Sequence, residues 1–154
     1  MLQGDRSTAG PENHLNEIYL TVLRNSIHKS YTEREREDLY NKRREILGSI
    51  VILSSPLAAN ALARLLCIPK QDVDQTLEDL HAILDIPEDR TCPLRLHHPS
   101  FRDFLLDKER CIDSNFQVEE RQAYQTLADS CIRLMSTSLK QDICGIKAPR
   151  STYD

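Results

Sequence analysis

The chain contains no tryptophan, and aromatic residues of every kind make up only 5% of its 154 positions. It has four glycines. Barrels and sandwiches need aromatic and β-branched cross-strand pairs and many turn glycines, so an all-β architecture is disfavoured. The glycines stand at 4, 10, 48 and 145, and none precedes a Lys-Ser or Lys-Thr pair. A phosphate-cradling loop needs clustered glycines and a lysine, so a Walker-type loop is excluded. No Cys-x-x-Cys occurs, and the five cysteines (Cys67, Cys92, Cys111, Cys131 and Cys144) are odd in number and widely spaced. They read as small buried hydrophobes rather than zinc ligands or disulfide partners. A basic surplus is missing too: 20 Lys+Arg stand against 24 Asp+Glu, for a net charge of -4. A general nucleic-acid binder would carry the opposite sign. The longest apolar run, Ile50-Val51-Ile52-Leu53, is too short to span a bilayer. The N-terminal stretch has no apolar h-region for secretion, and the expected location is cytoplasmic.

What is present is an ordinary globular composition, 40% hydrophobic and 29% charged. A chain of this size can bury roughly 70% of its unfolded surface in one core. The apolar pattern is helical almost throughout. Residues 1–11 are polar and read as disordered. Leu15, Ile18, Tyr19, Val22 and Leu23 then form one stripe at 3- and 4-residue spacing. Thr32 opens a second helix, with Glu35 three residues on completing a capping box. Five acids (Glu33, Glu35, Glu37, Asp38, Glu45) and five bases (Arg34, Arg36, Lys42, Arg43, Arg44) alternate along it. Such a run reads as a solvated face laced with i,i+4 pairs. Leu39, Ile46, Ile50 and Leu53 carry this helix into a core until Ser54-Ser55-Pro56 stops it.

Beyond Pro56, Leu57, Ala58, Ala61, Leu62, Leu65 and Leu66 mark a short amphipathic helix that Ile68-Pro69 ends. A second short helix places Val73, Leu77, Leu80 and Leu84 inward, and the pair forms a helix-turn-helix. Two extended runs follow, Leu84–Ile86 and Leu94–His97, joined by a turn-rich link; Leu94 and Leu96 alternate with Arg95 and His97. Helix, turn, helix, hairpin is the order of a winged helix. Ser100, with Asp103 as capping partner, opens a further helix whose apolar face is Phe101, Phe104 and Leu105. A last helix from about Val118 to Ser138 sets Tyr124, Leu127, Ala128, Cys131 and Met135 in register. Residues 141–154 read as a flexible tail. The fold class is therefore mainly α: a helical segment, a winged helix with a small β-hairpin, and a helical extension.

Chemistry is sparse. Cys92, His97 and His98 cluster, but no second half completes a zinc site. Ser100, His98 and Asp103 hold the residue types of a nucleophilic triad, yet Ser100 already has an N-cap role. The second helix of the helix-turn-helix carries Lys70 against Asp72, Asp74, Glu78 and Asp79, a local charge of -3 that would repel a DNA backbone. His98 is the strongest single residue. It falls at a strand end just before a helix N-terminus, where an imidazole N–H and the helix dipole favour an anion. A histidine that packs or caps locally is the competing reading.

The run Leu94-Arg95-Leu96-His97-His98-Pro99-Ser100-Phe101-Arg102-Asp103-Phe104-Leu105-Leu106-Asp107 resembles the winged-helix signature after the NACHT nucleotide-binding domain of fungal STAND proteins. These heterokaryon-incompatibility-like, NLR-like receptors usually carry WD repeats. The stretches IYLTVLRNSI (18–27), ILGSIVIL (46–53), PLAANALARLL (56–66), IPKQDVDQTLEDLHAILDIPED (68–89) and TLADSCIRLMSTSLKQDICGI (126–146) are similar in order and spacing. The resemblance spans residues 15 to 149. It implies that residues 12–54 are the helical end of a NACHT module, 55–110 a winged-helix domain and 111–140 the start of a helical linker region.

The resemblance also implies that His98, not His97, contacts a phosphate of ADP held by an upstream NACHT domain and keeps the receptor closed. Walker motifs, Mg-binding acids and WD repeats are not in this sequence. The expected function is thus a non-catalytic regulatory and interaction fragment of a STAND receptor, with no cofactor of its own and ADP or ATP in the parent. Its partners would be the upstream NACHT domain and downstream repeats in cis, and other proteins, with neither nucleic acid nor membrane. A winged-helix DNA-binding regulator and a helical protein-interaction adaptor are the alternatives.

Overall fold

The computed structural model describes residues 10–27 and 30–139. The expected disordered start and flexible tail lie outside the described residues, except that Pro11 is already helical. Six helices and one two-stranded sheet follow in order: α1 (Pro11–Asn25), α2 (Glu33–Ile52), α3 (Ala59–Leu66), α4 (Lys70–Glu78), β1 (Leu84–Asp85), β2 (Arg95–Leu96), α5 (Ser100–Leu106) and α6 (Glu120–Ser138). The fold is mainly helical. None of the described helices is long and apolar enough to cross a membrane.

Local chemistry sets most of the helix ends. Pro11 starts α1, where its missing N–H costs nothing. The Thr32 amide and hydroxyl both donate to Glu35 Oε2, at 2.8 and 2.7 Å, while Thr32 Oγ1 accepts from the Glu35 amide at 3.4 Å. The Thr32 amide bond, with the hydroxyl bond second, holds the Glu35 carboxyl below its usual range. Cys67 ends α3 in the left-handed region at φ 54°, a position glycine usually takes. α4 is shorter than its apolar period suggests. It ends at Glu78, and Leu80 and Leu84 reach the core from the turn and strand that follow, both almost fully buried.

The strands pair antiparallel with Leu84 opposite Leu96 and Asp85 opposite Arg95. An isolated antiparallel bridge joins Ala58, just before α3, to Pro93. Buried side chains from every helix enter one cluster, with Phe101, Phe104 and Phe116 the largest of its fully buried members. Tyr19 of α1 packs edge-on to Phe101 at 5.0 Å and tilted against Phe104 at 5.2 Å. Aromatic pairs in these offsets add to the burial of their area. They bind α1 to α5.

The charged run on α2 is exposed at Glu33, Arg34, Glu35, Glu37, Asp38 and Lys42, as a solvated face should be, with one exception. Arg43 is buried, 3% exposed. Its guanidinium donates to the Ser26 hydroxyl, to the Ser26 carbonyl at 2.7 Å and to Asp79 Oδ2 at 2.6 Å. Burial lowers its pKa, and the Asp79 bond pushes back. Lys42 pairs with Asp72 of α4 at 2.6 Å. The described ion pairs of α2 therefore run between elements rather than along the helix, because α4 lies within reach of its basic residues.

α6 is rotated from the expected register. Leu127 and Ser130 are its buried residues, with Ala123 and Leu134 partly buried beside them. Of the expected stripe, Tyr124, Ala128, Cys131 and Met135 are exposed. α6 packs on α2 at Gly48, where an added Cβ would stand 3.3 Å from Val118 Cγ1 and 3.5 Å from Ala123 Cβ. A tyrosine and a methionine cannot enter so close an approach. The cysteines also depart from expectation: Cys111 is buried, whereas Cys67, Cys92 and Cys131 are exposed. Cys67 caps a helix, Cys92 lies in the hairpin loop and Cys131 faces outward on α6. Cys144 lies outside the described residues.

Two substitutions test this packing by urea denaturation. Gly48→Val overpacks the α2–α6 approach and should cost about 1–3 kcal/mol. Gly48→Ala should stay near neutral, since its methyl gains helix propensity of about 1 kcal/mol against a tight contact. Arg43→Met should cost about 3 kcal/mol, because it removes the positive partner of Asp79 and strands the Ser26 carbonyl.

Candidate functional site

β2 ends at Leu96, and His97, His98 and Pro99 lead directly into α5. The two histidines are engaged differently. The His97 amide donates to the Ile83 carbonyl at 3.0 Å, and His97 Nε2 lies 3.1 Å from the His81 carbonyl. A carbonyl only accepts, so that nitrogen carries the proton and His97 ties the strand to the turn after α4.

His98 is exposed. Its Nδ1 lies 2.7 Å from Ser100 Oγ and 3.2 Å from the Ser100 amide. The amide can only donate, so Nδ1 accepts, and the neutral ring carries its proton on Nε2. That N–H has no partner among the described residues. Ser100 Oγ in turn lies 2.9 Å from the Tyr19 hydroxyl. Tyr19 is 5% exposed and held by the phenylalanines of α5. A relay from α1 through Ser100 therefore fixes the ring on its Nδ1 side and leaves an outward N–H donor on the other.

This geometry corrects the expected cap. Pro99 occupies the N-cap position, Ser100 is the first residue of α5, and no side chain of the N-cap residue closes the helix. Pro99 has no side-chain acceptor, so His98 Nδ1 satisfies the first amide. Capping and anion recognition use different ring nitrogens and do not compete. The expected role of Asp103 as capping partner is not seen, and among the described residues no hydrogen bond joins it to His98. The Ser100–His98 hydrogen bond exists, but the third member of the triad is not assembled. Among the described residues no group of His, Cys, Asp and Glu could hold a metal ion, so Cys92, His97 and His98 do not converge.

The acids of α4 are all paired: Asp72 with Lys42 at 2.6 Å, Asp74 and Glu78 with Arg90 at 3.6 and 3.9 Å, and Asp79 with Arg43 at 2.6 Å. The helix is thus less repulsive than its sequence charge of -3 suggests. Its acids are spent on α2 and on the hairpin loop. Arg90, the loop's basic residue, is consumed in the same way.

Clefts lie elsewhere on the described surface. One of about 420 Å³ opens between α2 and the start of α6, edged by Arg44, Glu45 and Glu119. Burial raises the Glu45 carboxyl pKa there, with Arg133 acting in the opposite sense. A smaller cleft of about 210 Å³ beside β2 is lined by Leu53, Leu57, Leu62 and Leu94, with Arg95 and Arg102 at its edge. His98 lines neither. Sequence reasoning found His98 but missed Tyr19 and Ser100 as its supports. Tyr19 stands 81 positions from Ser100, and nothing local signals that contact.

No family model, curated protein or solved structure matches the chain.

The tautomer can be read directly. Long-range ¹⁵N–¹H spectra of the neutral His98 ring should show the proton on Nε2, and Ser100→Ala should mix the two tautomers. Burial also lifts the Cys111 thiol to about 11. Iodoacetamide at mildly alkaline pH should accordingly label Cys67, Cys92 and Cys131 in the folded chain and spare Cys111 until denaturant is added.

Proposed function

We propose that the chain is a non-catalytic regulatory segment of a STAND-type receptor, in which a winged helix senses nucleotide held by an upstream NACHT domain. The observation that carries this reading is the state of His98: exposed, anchored at Nδ1 and left with a free Nε2–H donor. A donor fixed before the ligand arrives loses little freedom on binding a phosphate oxygen. The order of elements supports a winged helix, since the Ala58–Pro93 bridge adds a third extended position beside β1 and β2. The Tyr19–Ser100 relay gives the sensor a mechanical link to α1, which the resemblance assigns to the NACHT side. A nucleotide bound there could bias the packing of α1 through one hydrogen-bond chain.

One feature counts against duplex DNA as the partner: Arg90, the one basic side chain of the hairpin loop, lies 3.6 and 3.9 Å from Asp74 and Glu78, so the loop offers no unpaired cation to a phosphate backbone.

The test restores an upstream nucleotide-binding domain and measures ADP dissociation and ligand-independent signalling. A hydrogen bond to a charged phosphate is worth roughly 1.5–3 kcal/mol, so His98→Ala should loosen the ADP-bound closed state about ten- to hundredfold. His97→Ala should do far less, because its ring is already bonded to the His81 carbonyl. Equal effects from the two variants, or none from His98→Ala, would overturn the assignment. Micromolar ADP binding to the isolated chain would overturn it as well, since one histidine is no phosphate cradle.

A further inference from the structure

The outer face of α6 is covered by no described element, and it is apolar. Tyr124, Ile132, Met135 and Leu139 are 51%, 58%, 49% and 61% exposed, and Ala128 and Cys131 are exposed between them. Along this face Tyr124, Ala128, Cys131 and Met135 recur at intervals of four, three and four residues. That is the narrow a/d repeat of a coiled-coil seam. The helix meets the rest of the fold through the adjoining face, at Ala123, Leu127, Ser130 and Leu134, whose centre lies about 100° around the helix from that of the seam. The seam is surplus to this fold.

We propose that the seam is an interface between two copies of the chain, packed antiparallel about a two-fold axis midway between the Ala128 and Cys131 layers. The pattern reads large, small, small, large, and so is the same from either end. A two-fold interface demands that self-complementarity. Tyr124 then meets the second copy's Met135, a thioether on an aromatic ring, at both ends of the contact. Ala128 meets the second copy's Cys131 in the middle, where small side chains let the helix axes approach to about 8 Å.

Charge selects the direction. Arg121 is exposed and continues the repeat one step toward the N-terminus. A parallel pair would set it against its own copy. An antiparallel pair sets it beside the last turn of the other α6, which has no basic residue of its own and carries the partial negative charge of a helix C-terminus.

The apolar seam from Tyr124 to Met135 is about 17 Å long, and with Arg121 and the last turn at each end the contact buries on the order of 1,000 Å² or less from both copies together, at the low end for a specific interface. The association is therefore reversible, with Kd on the order of 10⁻⁵–10⁻⁴ M.

Sedimentation equilibrium of the 154-residue chain should show a monomer–dimer equilibrium in this range. Ala128→Glu should weaken it at least tenfold, about the effect of placing a charge in a desolvated layer. Because Ala128 is exposed, the monomer's thermal midpoint should not move. Orientation is read by oxidising a mixture of Tyr124→Cys and Met135→Cys chains in a Cys67→Ser, Cys92→Ser, Cys131→Ser, Cys144→Ser background. The antiparallel pair gives the mixed disulfide, whereas homodimeric disulfides would overturn the orientation. A chain monomeric at millimolar concentration, or a dimer indifferent to Ala128→Glu, would overturn the interface. Dimerisation only after Ile143→Asp and Ile146→Asp would overturn it too, by making residues 140–154 the occupant.

Discussion

One buried guanidinium holds the helical frame together. Arg43 enters the core from α2 and closes on the end of α1 through Ser26 and on the end of α4 through Asp79. Three helices thus share one cation. This charge, 3% exposed, is held through both terminal nitrogens of the guanidinium, while its buried Nε has no partner among the described residues, and its partners sit at helix C-termini, whose dipoles favour a positive charge. Apolar packing alone could fix how closely α1, α2 and α4 approach. The rigid fork of the guanidinium also fixes their register, since a shift of one turn would leave the charge unpaired. Everything downstream of α4, including the hairpin and α5, takes its position from that arrangement.

The candidate site depends on the same frame at one remove. Tyr19 belongs to α1, which Arg43 anchors at its far end, and its hydroxyl reaches Ser100 at the start of α5. The ring of His98 is therefore not held by its own loop alone. Two features that looked like rivals in the sequence, a local cap and an anion donor, occupy different nitrogens of one ring. The cap selects the tautomer, and the tautomer supplies the donor.

α6 shows how a helix with two apolar faces resolves its ambiguity. Gly48 admits only small neighbours, so α2 takes the face with Ala123 and Ser130 and rejects the face with Tyr124 and Met135. The exposed stripe is the bulkier at its ends, with Tyr124 and Met135, whereas the inward face sets Leu127 and Leu134 beside Ala123 and Ser130. Steric fit decided against the exposed stripe. What remains outside is a seam with the spacing of a helix pair, which includes the exposed thiol of Cys131.

The sequence by itself determined where α1 and α2 begin, and these are local properties. Thr32 with Glu35 caps α2 within a single turn, and Pro11 opens α1. The alternation at Leu94 and Leu96 marks a strand that pairs as expected with Leu84. Phe101, Phe104 and Leu105 lie on the buried face that their spacing gives. His98 was legible for the same reason, because a strand end and a helix start are both encoded within a few residues. Tertiary structure alone decided which charge of α2 is buried, which face of α6 turns inward and what supports His98. Each of these rests on a partner distant in the chain: Asp79 for Arg43, Gly48 for Ala123 and Tyr19 for Ser100. Periodicity records that a side chain shares a face with its neighbours. It carries no information about the size or charge of whatever that face will meet.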